Sequence, residues 1–84
     1  MIVSFGYDKS GPPKQASKVF DVRDLSHDTK SKWFTAREQE IRDYVKKNPK
    51  LTVAVGCEKG NHRSVELVNR IAKTLRVSKF HKDL

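Results

Sequence analysis

The residues with the most evident chemistry lie in one short segment, Gly56–Ser64, between an apolar run and an amphipathic run. The first N–H groups of a helix have no partner within that helix, and the helix dipole adds partial positive charge there. A phosphate group at this position satisfies both, so a strand–loop–helix turn is a common anion site. We therefore expect an anion site whose ligands are Cys57, Lys59, Gly60, Asn61, His62, Arg63 and Ser64.

Each side chain of this segment has a distinct expected part in holding phosphate. Gly60 permits a backbone conformation in which successive N–H groups face inward. Arg63 can bind two phosphate oxygens at once, and Lys59 and His62 add donors nearby. The alternative is an ordinary tight connection between a strand and a helix, in which Cys57 is a buried structural residue.

The spacing Cys57-x-x-Gly60-x-x-Arg63-Ser64 also matches the signature of cysteine-dependent phosphatases. In that chemistry the Cys57 thiolate attacks phosphorus, and a cysteine at a helix N-terminus can have the lowered pKa that this step needs. Two features differ from such enzymes: Gly56 stands where histidine is usual, and no evident loop supplies an aspartic acid to the leaving group. The nearby candidates for that acid are Asp21, Asp24 and Asp28. Glu58 adds a negative charge that opposes the binding of a dianion.

The order of elements predicts an α/β fold with a small, mostly parallel sheet and packed helices, in the order β-β-α-β-α-(β). The run Leu51–Cys57 is apolar almost throughout, as a central parallel strand is when both faces are covered. A capping box at Thr35 and Glu38 predicts a helix that begins there and extends to about Lys47. A second helix is expected from about His62, and one domain spans residues 1–84.

Length and charge limit the classes of partner. The chain has 84 residues, with 18 Lys and Arg against 10 Asp and Glu, so its net charge is +8. Such a surface attracts polyanions, although the charge can also serve only to keep a small domain in solution.

The single cysteine cannot form an intramolecular disulfide and fits a reducing compartment. No signal peptide and no run of about 20 apolar residues is present, so we expect a cytoplasmic protein without a membrane partner. We expect no cofactor and no metal site.

Three blocks of the chain resemble the C-terminal domain of the bacterial RNase adapter protein RapZ and its relatives. Ser4–Tyr7 is similar to that domain's Ser-Phe-Gly-Phe opening, and Val19–Arg23 matches its Val-Phe-Asp-Val-Arg strand. Leu51–Cys57, followed by Gly60 and His62–Val65, is similar to its third block. The stretch from Ser26 to Lys50 is much shorter than in the family, which suggests a free-standing, shortened copy.

The resemblance implies a regulatory module that binds RNA and senses a phosphosugar, with no turnover. It places Cys57, Gly60, His62 and Arg63 around the anion. It also implies additional site residues: Asp21 and Arg23 at the end of the second strand, and His81 beyond the last strand. A local ion pair is the alternative for Asp21 and Arg23. Glu58, Lys59 and Asn61 differ from the family's residues, and no nucleotide-binding P-loop is present, so ATP or GTP binding is not expected.

Three further expectations concern partners and surfaces. A regulatory protein-binding role, a homo-oligomer and an origin in a phage or mobile element are alternatives for a short free-standing copy. Trp33 and Phe34 are expected to anchor their segment to the core, and stacking on bases is the alternative. The basic face formed by Arg70, Lys73 and Arg76 is either solvated or an extension of the phosphate site.

Overall fold

Four strands and two helices follow one another in the predicted order. The computed structural model describes residues 1–84, and its elements are β1 (Ile2–Gly6), β2 (Lys18–Asp21), α1 (Lys32–Lys47), β3 (Val53–Cys57), α2 (Arg63–Leu75) and β4 (Lys79–His81). The strands form one sheet in the order β2-β3-β1-β4, and every pairing is parallel. The predicted α/β class is therefore confirmed. Neither helix is both long and apolar enough to cross a membrane.

The core lies between the sheet and the two helices, which contact each other. Alternate residues of the central strands, among them Val53, Val55 and Cys57, join the apolar faces of α1 and α2. β1 and β3 are buried along their whole length, as their apolar sequences predict. Because parallel strands end at the same edge, the loops after β1, β2 and β3 meet at the carboxyl edge of the sheet.

The first helix begins three residues earlier than the sequence predicted. Ser31 is its N-cap, and the Ser31 hydroxyl accepts a hydrogen bond from the Phe34 N–H at 3.2 Å. The expected capping box at Thr35 and Glu38 is therefore wrong, because Ser31 is an equally good capping residue and starts the helix before Thr35 is reached. Phe34 is fully buried, as expected, whereas the expectation that Trp33 anchors the core is wrong, since its side chain is 69% exposed.

The end of β1 and the loop after β3 approach each other without room for a side chain. Gly60 has φ of +70°, and a Cβ atom there would lie 2.7 Å from the Phe5 carbonyl carbon and 2.9 Å from the Gly6 Cα. A Cβ at Gly6 would in turn meet the backbone of Lys59 and Gly60. Glycine is therefore required on both sides of this contact.

Alanine substitutions at two glycines separate backbone strain from crowding. Gly11 also has a positive φ, of +72°, but no atom lies near its hypothetical Cβ. We expect Gly11→Ala to lower the free energy of unfolding by about 1–2 kcal/mol, the cost of a left-handed conformation. Gly60→Ala should add about 1–3 kcal/mol for overpacking to that cost. Urea denaturation of both variants tests this, and equal losses would show that the contact with Gly6 is not tight.

Candidate functional site

A cavity of about 280 Å³ opens at the carboxyl edge of the sheet, where β3 turns into α2. The loop 58–62 forms most of its wall, and the segment after β2 closes the other side. Of the predicted ligands, five line the cavity. The full set of lining residues is His27, Cys57, Glu58, Lys59, Asn61, His62 and Arg63.

The floor of the cavity is a cradle of N–H groups around the Cys57 thiol. Burial opposes ionisation of Cys57, but hydrogen bonds from the Ser64 hydroxyl and from the backbone N–H groups of Ser64, Gly60 and His62 outweigh it and lower the thiol's pKa. The Sγ atom lies 3.1 Å from the Ser64 Oγ. α2 has no side-chain cap at His62, so its first N–H groups are left for another acceptor. Gly60 and Ser64, the two predicted ligands that do not line the cavity, thus act from beneath it.

Arg63 is a buried cation with no acidic partner. Its side chain is only 6% exposed, and its Nη1 donates to the carbonyl oxygens of Arg23 and Leu25 at 2.9 and 2.8 Å. None of the ion pairs in the protein includes Arg63, and its Nε is buried without a hydrogen-bond partner. A buried charge without a counter-charge is costly, and an anion in the cavity would lower that cost.

His27 is a cavity residue that the sequence analysis missed. Its ring centroid lies 5.6 Å from that of His62, although 35 positions separate them in the chain. The sequence offered only an indirect signal for His27. Parallel strands end at the same sheet edge, so the loops that follow β2 and β3 begin there together. Lys59, Asn61 and His62 are exposed at the rim, and Glu58 adds one carboxylate there.

Asp21 and Arg23 do not line the cavity. They form a local ion pair at 2.7 Å, and the Arg23 guanidinium lies 3.9 Å from the centre of the Tyr7 ring. Hydrogen bonds from Arg23 hold the pKa of Asp21 below its usual value. The backbone of Arg23 serves the site instead, because its carbonyl oxygen binds Arg63.

His81 also lies outside the cavity lining. Its Nδ1 is 2.6 Å from the Ser4 hydroxyl and its Nε2 is 2.8 Å from the Asn69 Oδ1, so it links β4 to β1 and α2. Burial, with a smaller contribution from Lys79, lowers the pKa of His81. The structure therefore gives this imidazole two neutral partners in the fold.

Comparisons with known proteins point to one family. Residues 46–84 match the family model of the RapZ C-terminal domain. A nucleotide-binding protein of Polynucleobacter asymbioticus is 34% identical over 96% of this chain, and one of Ralstonia nicotianae is 33% identical over 90%. A third, from Caldicellulosiruptor bescii, is 31% identical over 99% of the chain. The chain spans 37%, 35% and 40% of these three proteins, respectively.

The length of the first alignment shows that the relative has additional residues within the shared region. It covers 110 positions, whereas the chain has 84 residues. The shared region is therefore shorter in this chain, as predicted. The family match and the similar relatives confirm the resemblance predicted from the three blocks. The matched part includes β3, the loop 58–62 and α2, which together form most of the cavity.

Thiolate absorbance near 240 nm measures the expected pKa of Cys57. The titration midpoint of the wild type should lie below the usual value of about 8.5, and Ser64→Ala should raise it because one donor to the thiolate is lost. Ser26→Ala, at an exposed position, is the matched control and should leave the midpoint unchanged. In Cys57→Ser the rise in absorbance should be absent, which assigns it to the Cys57 thiolate. An unchanged midpoint in Ser64→Ala would show that the Ser64 hydroxyl does not stabilise the Cys57 thiolate.

The environment of His81 predicts a pH dependence of stability. Because its pKa is lowered in the folded protein, the unfolded chain binds more protons as the pH falls below about 6.5. The contribution of His81 is therefore present above that pH and lost below it. We expect the free energy of unfolding to fall more between pH 7.5 and 5.5 in the wild type than in His81→Gln. Urea denaturation at both pH values measures this difference. An equal fall in the free energy of unfolding in the wild type and in His81→Gln would show that His81 is freely solvated.

Proposed function

We propose that this chain, which matches the family model of the RapZ C-terminal domain over residues 46–84, is a regulatory module that binds phosphate groups of RNA or of a phosphorylated metabolite in the cavity at loop 58–62. The observation that carries this proposal is Arg63, a buried guanidinium without a carboxylate partner beside a cradle of N–H groups. The same cavity holds the cations and N–H groups that phosphate oxygens prefer.

The binding mode follows from how each group is held. Two carbonyl oxygens fix the Arg63 guanidinium, so little side-chain entropy is lost when an anion meets it. The N–H groups of Gly60, His62 and Ser64 point to Cys57 at the floor and need no rearrangement. Lys59 and His62 are exposed and can follow a ligand as it enters.

RNA is the favoured ligand because the positive charge extends beyond the cavity. A net charge of +8 on 84 residues is more than one phosphate group needs. The relatives are named nucleotide-binding proteins, which supports a ligand with nucleotide chemistry. A cytoplasmic site of action belongs to the same proposal, since the lone thiol fits a reducing compartment.

Fluorescence anisotropy with a labelled RNA at several salt concentrations tests the site. Lys59→Ala should weaken binding and lower the slope of log affinity against log salt by about one, because one phosphate contact is lost. Lys46→Ala is the matched control: it removes the same charge from an exposed position at the last turn of α1, away from the cavity. Its salt slope should remain that of the wild type.

Arg63 itself is unsuitable for this test because its removal frees two carbonyl oxygens and destabilises the fold. Equal effects of Lys59→Ala and Lys46→Ala would show that RNA binds through diffuse charge and not at loop 58–62. If no RNA binds at any salt concentration but the wild type binds a phosphorylated sugar saturably, the cavity is assigned to a metabolite.

A second candidate function is hydrolysis of a phosphate ester, favoured by the lowered pKa of Cys57 above the Ser64 hydroxyl. The thiolate would form a bond to phosphorus as the bond to the leaving oxygen breaks, and water would then cleave the S–P bond. Release of phosphate from an aryl phosphate, abolished in Cys57→Ser, is the expected result. Turnover of the wild type at background would remove this candidate.

A further inference from the structure

Trp33 is the largest apolar side chain left in water. It is 69% exposed at the first turn of α1, while its neighbour Phe34 fills the core. The Nζ atom of Lys32 lies 5.1 Å from the centre of the Trp33 ring. Packing of this domain therefore does not require the indole, and a basic side chain accompanies it. An exposed aromatic ring beside a cation is a common platform for bases of single-stranded nucleic acid.

A second cavity, of about 410 Å³, lies beside this ring. The segment after β2 forms the opposite wall through Leu25 and Ser26. Asp24 and Glu40 bring two carboxylates, which Arg37 holds at 2.7 and 3.5 Å. Each carboxylate oxygen has more than one lone pair, so both groups can still accept hydrogen bonds from the amino groups of a base.

The two cavities share one wall. Ser26 lines the cavity beside Trp33, and the next residue, His27, lines the cavity at loop 58–62. Their Cα atoms are about 3.8 Å apart, as for any trans peptide. The Leu25 carbonyl accepts a hydrogen bond from Arg63, so the cation of the phosphate cavity holds this wall in place.

We propose that Trp33 is a stacking platform for a base of single-stranded RNA whose adjacent phosphate occupies the cavity at loop 58–62. This inference rests on the proposed function, because the phosphate cavity determines where the sugar–phosphate chain lies. A duplex does not fit, since its bases are already stacked and paired. The exposed Lys30 and Lys32 provide charge for the next phosphate along the strand.

Trp33 is the one tryptophan in the chain, so its intrinsic fluorescence reports on this site alone. Titration with a ten-nucleotide single strand of adenosine should quench the emission, with the dissociation constant that anisotropy gives. The same sequence paired in a duplex should leave the emission unchanged. Trp33→Ala should weaken single-strand binding by about tenfold or more, and Trp33→Phe should restore part of the loss.

Two measurements keep this inference separate from the proposed function. Trp33→Ala should leave the salt slope unchanged, whereas Lys59→Ala should lower it, since only the latter contacts phosphate. RNA binding that depends on Lys59 but not on Trp33, with no quenching, overturns the stacking platform and leaves the phosphate site standing. Absence of any RNA binding overturns the stacking platform and removes RNA from the proposed function, which leaves a phosphorylated metabolite as the ligand of the cavity. Far-UV circular dichroism of Trp33→Ala checks that the fold is intact.

Discussion

The guanidinium of Arg63 joins the parts of the protein that form the site. It projects from the first residue of α2 and binds the carbonyl oxygens of Arg23 and Leu25, in the segment that follows β2. These backbone groups would otherwise lack partners in the interior, so the fold depends on the arginine as much as the site does. The result is a cation whose position is determined before any ligand arrives. Preorganisation of this kind is what makes a binding site for anions effective.

The glycine contact between β1 and loop 58–62 has the complementary effect of bringing the backbone itself to the site. Gly6 and Gly60 allow the loop to lie directly on the end of β1. The Gly6 N–H in turn donates to the Asp83 carboxylate at 2.7 Å, and Ser10 donates to the same oxygen at 2.7 Å. The residues after β4 are therefore attached to the edge of the sheet that carries the cavity. Burial opposes ionisation of Asp83, but these hydrogen bonds outweigh it and lower its pKa.

Charge is distributed unevenly between the two cavities. The cavity at loop 58–62 contains Arg63 and Lys59 with one carboxylate, Glu58, whereas the cavity beside Trp33 contains two carboxylates and Arg37. A phosphate is thus favoured in the first and a neutral group with amino donors in the second. The hydrogen bonds from Arg37 lower the pKa of Asp24, so that carboxylate remains ionised near neutral pH. This asymmetry suits the ligand that we propose, whose phosphate is anionic and whose base is neutral.

The amino-acid sequence by itself determined the α/β class, the strand at Val53–Cys57, the amphipathic helix after it and the position of the loop between them, which lines the cavity. Local signals sufficed there because hydrophobic periodicity and helix-terminus chemistry act over a few residues. Only the tertiary structure decided that His27 joins the cavity, that Asp21, Arg23 and His81 do not line it, and that Trp33 faces water. Those outcomes depend on which loops meet at the carboxyl edge of the sheet. The proximity of these loops depends on strand order and on close contacts between residues far apart in the chain, such as Gly6 and Gly60.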